Sequence, residues 1–134
     1  MKTLAASASR PQPTLALGQH LLVEFSGCDP LALDDLEIIR NCLLTACVEA
    51  GATVIGEVFH RFSPHGVTGV VGIAESHASI HTWPEFGYAA VDIFTCSDSM
   101  RSEVILNALR AVLRPKVVAE RRVSRGPELH DPEF

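Results

Sequence analysis

Between Ile73 and Cys96 the chain reads IAESHASIHTWPEFGYAAVDIFTC, crowding carboxylates, a hydroxyl, two imidazoles and a thiol into a span that otherwise has the composition of β-strand. The pair Glu75-Ser76 sets a hydroxyl β to an amide carbonyl. In that arrangement the hydroxyl can attack the preceding carbonyl and turn the peptide into an ester. β-Elimination then frees the upstream chain and leaves dehydroalanine, which tautomerises and loses ammonia to give a pyruvoyl group. Every serine has these atoms, but the reaction needs a strained or polarised peptide and a base for the α-proton. His81, five residues on, is the residue type suited to that acid–base work. Cys96 closes the strand YAAVDIFTC, shares a face with Asp92 and Phe94 by the period of two, and is a candidate proton donor. The plainer readings are a strand-edge serine and a structural thiol.

Other chemistries fit less well. Ser76 lies in no G-x-S-x-G elbow, so a hydrolase nucleophile is not indicated. His60, His65, His77 and His81 are available as metal ligands, and positions 77, 79 and 81 share one strand face. Yet H-A-S-I-H lacks the glutamate of H-E-x-x-H, and its neighbours form strand rather than the helix that motif needs, so no metal is expected. Phe62, Trp83, Glu85 and Tyr88 are further site candidates. Taken singly, the aromatics read as packing and Glu85 as a solvated turn carboxylate.

These residues need a scaffold, and its pattern is readable. A strand is predicted over 20–25, then a turn over 27–30. Leu36, Ile39, Leu43, Cys47 and Ala50 recur at helical steps within a helix of about 33–50, stopped by Gly51. Strands follow over 53–62 and 67–74, separated by the turn SPHG. HASIHTW and YAAVDIF form two more, with their hairpin marked at Gly87-Tyr88. A second helix covers about 99–113 and Pro115 ends it; a last strand spans 116–123. Residues 1–17 read as a flexible leader, 18–123 as one domain and 124–134 as a loose tail. The predicted class is α+β: a two-layer sandwich, mainly antiparallel, with two helices on one face. Dimerising into an α/β/β/α sandwich would bury the other face.

A chain of 134 residues suits one core. A formal net charge of −5 does not attract nucleic acid or an anionic membrane. There is no apolar run long enough to span a bilayer and no signal-peptide pattern, so a cytoplasmic address is expected. The four cysteines form no C-x-x-C pair, and Cys42 and Cys47 fall on a helical pattern as small core residues.

Taken together, FHRFSPHGVTGVVGIAESHASIHTWPEFGYAAVDIFTC resembles the core of the prokaryotic S-adenosylmethionine decarboxylase proenzymes, pyruvoyl-dependent enzymes of spermidine synthesis. The likeness runs from about Leu17 to Arg122. It implies cleavage between Glu75 and Ser76 into a β chain (1–75) and an α chain (76–134), with Ser76 becoming the covalent pyruvoyl cofactor. By the same likeness His81 is the processing residue, Thr68 a hydroxyl assisting it, and Cys96 the donor that protonates the substrate carbon. Phe62 and Glu85 match positions that stack on adenine and bind the ribose hydroxyls. The substrate amine would form a Schiff base with the ketone, which accepts the electrons left behind by carbon dioxide. The implied partners are S-adenosylmethionine, the two chains of one precursor and a second processed protomer, with active sites at the dimer interface. The same machinery also serves arginine or ornithine decarboxylases. A non-enzymatic alternative is an unprocessed regulatory paralogue.

Overall fold

The computed structural model describes residues 16–126; positions 1–15 of the expected leader and 127–134 of the tail lie outside the described residues. In chain order the elements are β1 (Gly18–Ser26), α1 (Pro30–Leu33), α2 (Leu36–Glu49), β2 (Val54–Arg61), β3 (Val67–Ile73), β4 (Ser76–Trp83), β5 (Tyr88–Thr95), α3 (Ser102–Leu113) and β6 (Val117–Arg125), with a single 3₁₀ turn, Pro84–Phe86, between β4 and β5. The six strands form one sheet in the order β2-β3-β4-β5-β1-β6, and every pair is antiparallel.

Register assigns each side chain to a face, because residues directly opposite one another lie on the same side. Leu21, Val23 and Phe25 of β1 share a face with Val71 and Ile73, with Ala78 and Ile80, and with Ala89, Val91 and Ile93; all ten are buried. Ile39, Leu43 and Cys47 of α2, with Ile105, Leu109 and Leu113 of α3, are buried in the same cluster and cover that face. Truncating one such leucine or isoleucine to alanine costs about 2–5 kcal/mol. The opposite face carries Val58, Val70, Ser79, Asp92, Leu22 and Arg121 in one cross-strand row, and His60, Thr68, His81, Ala90, Glu24 and Ala119 in the next. No element of the described chain covers it.

The helix expected over about 33–50 is α2, starting three residues later, and a short helix, α1, precedes it where a turn was expected. Asp29 caps α1, accepting from the Leu31 N–H at 3.0 Å, and Asp35 caps α2, accepting from Ile38 N–H at 3.1 Å. Asp35 starts a new helix instead of continuing the old one, because its short side-chain acceptor satisfies an amide that a helix N-terminus leaves free. The stop at Gly51 is as expected. Gly51 has φ +91°, its N–H donates to Val48 O at 3.0 Å, and Ala52 N–H reaches Cys47 O at 3.0 Å, a Schellman cap. The second helix starts later than the predicted 99: Arg101 precedes it, with its backbone N–H on Ala50 O at 3.0 Å and its guanidinium on Glu49 O at 2.8 Å. One arginine thus closes the C-terminus of α2 while introducing α3. The last strand, expected over 116–123, runs two residues further, since β6 keeps pairing with β1 out to Arg125 opposite Gly18. Strands β2 to β5 fall within a residue or two of the predicted segments.

Candidate active site

Glu75 is the second residue of a two-residue hairpin between β3 and β4 and holds φ +62°. A side-chain-bearing residue in the left-handed region costs about 1–2 kcal/mol. Ser76 begins β4 opposite Ile73 and Thr95, both buried, so it shares the helix-covered face. Its Oγ is buried and has no hydrogen-bond partner, a further cost of about 1–3 kcal/mol. Two unfavourable features therefore meet at one peptide bond, the bond singled out by its chemistry. Cys96 directly follows Thr95, the residue paired with Ser76. It is exposed, whereas Cys28 and Cys47 are buried, where burial pushes both thiols up to about 11. Cys42 is half-buried and also raised, first by burial and then by Glu49. The described thiols are all free, and Cys96 is the accessible one.

The other candidates are at the far end of the same strand. His81 lies opposite Thr68, and its Nδ1 is hydrogen-bonded to Thr68 Oγ1 at 3.1 Å. Phe62 follows β2, packing edge-on against His60 with ring centroids 4.5 Å apart. Glu85, in the 3₁₀ turn, pairs with His65 Nε2 at 3.1 Å. The loop carrying His65 is held by Asp34, which accepts from Gly66 N–H at 2.8 Å and pairs with Arg61 at 2.6 Å. Those two hydrogen bonds, the Gly66 amide first, hold the Asp34 carboxyl below its ordinary range. Thr68, His81, Phe62 and Glu85 thus gather at one end, and Glu75, Ser76 and Cys96 at the other. Five residues of extended chain put Ser76 and His81 about 16 Å apart, on opposite faces of the sheet.

A second polar group was not read from the sequence as a unit. On the uncovered face, Asp92 Oδ2 accepts from His20 Nε2 at 2.6 Å and from His77 Nε2 at 3.0 Å, while Ser79 donates to Oδ1. Burial pushes the Asp92 carboxyl up, but the hydrogen bonds from Ser79, His20 and His77, with the charge of His77, outweigh it and hold the group below its ordinary value. Phe94 walls the group, stacked on His77 at 5.8 Å and edge-on to His20 at 5.5 Å. The three ligand atoms of His20, His77 and Asp92 lie within 4.8 Å of one another, a spacing a metal could use. The protons argue otherwise. Arg125 Nη1 sits 3.2 Å from His20 Nδ1, and a guanidinium only donates, so Nδ1 accepts and Nε2 carries the proton given to Asp92. In that tautomer Nε2 has no lone pair for an ion. Asp92 in an otherwise apolar strand was the visible signal for this group; His20 gave none, because only the sheet order sets β1 beside β5.

Tyr88 completes the uncovered face at the His81 end, tilted against Trp83 with centroids 5.4 Å apart and donating to Glu24. Its phenol is pushed up to about 12, chiefly by burial and then by the Glu24 hydrogen bond and charge.

Residues 19–126 match the family model described as S-adenosylmethionine decarboxylase. The S-adenosylmethionine decarboxylase proenzyme of Thermodesulfovibrio yellowstonii is 47% identical over 111 residues, covering 83% of this chain and 82% of that one. That of Pelotomaculum thermopropionicum is 49% identical over 110 residues, 82% and 87% of the two chains, and that of Thermotoga petrophila 44% over 120 residues, 88% and 92%. The crystal structure of the adenosylmethionine decarboxylase from Aquifex aeolicus superposes with a TM-score of 0.79 at 37% identity, covering 89% of this chain and 98% of that one. The sheet with helices on one side is therefore an α/β sandwich shared with an enzyme of known structure. The chain is an enzyme and belongs to the S-adenosylmethionine decarboxylase family.

Proposed function

We propose that the chain cuts itself between Glu75 and Ser76 and then decarboxylates S-adenosylmethionine in the cytoplasm, its product serving spermidine synthesis. The observation that carries this reading is the left-handed Glu75 beside the buried, unpartnered Ser76 Oγ. The hydroxyl lacks a competing hydrogen bond, and leaving the strained peptide relieves the left-handed residue. In the first step the Ser76 Oγ bonds to the Glu75 carbonyl carbon, the C–N bond breaks, and the hydroxyl proton ends on the nitrogen. In the second, a base takes the Ser76 α-proton, Cα=Cβ forms and Oγ departs with the Glu75 carboxylate. The residue left at 76 becomes an imine, water adds and ammonia leaves.

His81 is the base in this reading, with Thr68 holding its Nδ1, and it is too far away to serve Ser76 of its own chain. We therefore read the site as shared: Ser76 and Cys96 of one copy meet Thr68, His81, Phe62 and Glu85 of a second copy. Pairing two copies would bury the uncovered face, with Val58 and Val70 exposed; Ser76 lies on the helix-covered side, but it is half-buried at the start of β4, so a second copy would reach it round that strand end. A pyruvoyl group at position 76 supplies an electron sink for loss of carbon dioxide from an α-amino acid. Cys96, exposed beside it, delivers the proton to the substrate carbon. Phe62 offers a face for adenine and Glu85 a carboxylate for paired hydroxyls. No metal enters the scheme, nor any nucleic-acid or membrane partner. Among the described residues no helix is long and apolar enough to cross a membrane.

Denaturing mass spectrometry after cyanoborohydride treatment beside S-adenosylmethionine, arginine or ornithine tests the reading. Two chains divided at Glu75-Ser76, with the 76–134 chain gaining the S-adenosylmethionine adduct alone, are expected. A whole chain without adduct would overturn the self-processing reading, and an adduct from arginine or ornithine alone would overturn the substrate.

A further inference from the structure

We infer that the Asp92 group, made with His77, His20 and Ser79, is a positioning device for self-cleavage that clamps the downstream side of the Glu75–Ser76 bond. The inference rests on cleavage occurring at that bond. His77 is the residue immediately after Ser76, and its side chain is on the opposite, uncovered face. There it donates to Asp92 Oδ2 at 3.0 Å, and the same oxygen takes the His20 proton at 2.6 Å. One carboxylate therefore ties β4, β5 and β1 together in the rows next to the scissile bond, with Ser79 steadying its other oxygen. Arg125 of β6 holds the His20 tautomer that can donate, so a fourth strand takes part.

The mechanical argument follows from the hairpin. A strained two-residue turn relaxes if either flanking strand can slip or fray, because nothing else keeps Glu75 left-handed. Upstream, the Ala74 N–H is tied to Thr53 O at 2.9 Å. Downstream, Ser76 makes no side-chain hydrogen bond, so the first anchored side chain is His77. Freeing it lets residue 76 turn away and takes Oγ off its line toward the carbonyl. A group that served only fold stability would have no reason to concentrate its charge-assisted hydrogen bonds at the one strand end that must stay strained.

The test follows cleavage of full-length chain made by cell-free translation and chased in time, with a thermal melt of each variant in an uncleavable Ser76→Ala background. Losing charge-assisted hydrogen bonds that act in the transition state slows a reaction about tenfold to a hundredfold, and that is expected for Asp92→Asn and His77→Leu at temperatures where the melts show both variants fully folded. His77→Gln keeps an N–H donor at the position of Nε2 and is expected to restore cleavage to within about threefold of wild type. Hydroxylamine separates the steps, since it cuts an ester directly: slow variants that hydroxylamine does not accelerate are stalled before ester formation, as the clamp requires. The inference is overturned by Asp92→Asn and His77→Leu cleaving at the wild-type rate. It is equally overturned by slowing that merely tracks lost melting temperature without rescue by His77→Gln, or by hydroxylamine restoring full-rate cleavage. A wild-type chain that never cleaves removes both this inference and the proposed function; a wild type that cleaves beside equally fast variants removes this one alone.

Discussion

The two ends of β4 differ in how well their backbone and side chains are satisfied. At the Ser76 end the backbone is strained, the hydroxyl is buried without a partner and the thiol of Cys96 is exposed. At the His81 end the side chains are satisfied: His81 has Thr68, Glu85 has His65, and Tyr88 has Glu24. In the proposed function the first end reacts and the second assists. About 16 Å of strand separates them, so in the proposed function each end relies on a second copy, related by a two-fold axis, for what it lacks.

Several substitutions break or sharpen that contrast. The largest effect is expected from Ser76→Ala, which removes the only atom able to attack: the chain stays whole by denaturing mass spectrometry and captures no amine. His81→Ala should also leave little activity. The informative experiment is to co-express it with Ser76→Ala, because a mixed dimer then holds one intact site. Random pairing of two copies restores about a quarter of wild-type activity; no recovery at all would place both halves of the site in a single chain. Cys96→Ala should still cleave but decarboxylate slowly, by about a hundredfold or more, as expected for loss of a general acid. Full activity in that variant would remove the thiol from the reaction. Glu85→Gln should raise KM by about tenfold with little change in kcat or in cleavage, which steady-state kinetics can separate. The smallest effect is in pH dependence. Asp92 is held below its ordinary value in the folded chain, so its contribution to stability is fully present above the ordinary aspartate range near pH 4 and is lost as pH falls below it through the folded value. Thermal melts across that window should decline more steeply for the parent chain than for Asp92→Asn, and equal slopes would show that the carboxylate's hydrogen bonds do not favour its charged form.

Much of the fold was legible because its signals are local. The period-two runs of β3, β4 and β5, the glycine after α2 and the proline after α3 each act within a few residues. The short helix α1 was missed because four residues are too few to show a period, and the turn residues Asp29 and Pro30 that open it also suit a helix N-terminus, which the Asp29 cap on Leu31 shows. The late start of α3 has another cause: Arg101 bonds to α2, fifty residues earlier in the chain, and no window on the sequence contains both.

For the site, residue types and order in the chain made Glu75, Ser76, His81 and Cys96 candidates, because acyl shift, proton transfer and thiol chemistry are properties of side chains and of their immediate neighbours; their roles came from the family resemblance. Distance was another matter. Whether two residues five apart on a strand can meet depends on the extended backbone between them, which keeps Ser76 and His81 apart, while the β4–β5 register sets Thr95, the residue before Cys96, opposite Ser76. The strain at Glu75, the unpartnered Ser76 hydroxyl and the union of His20, His77 and Asp92 across three strands were likewise decided only in the folded chain. They depend on which strands are neighbours and in what register, and that choice is made by burying one face of the whole sheet at once.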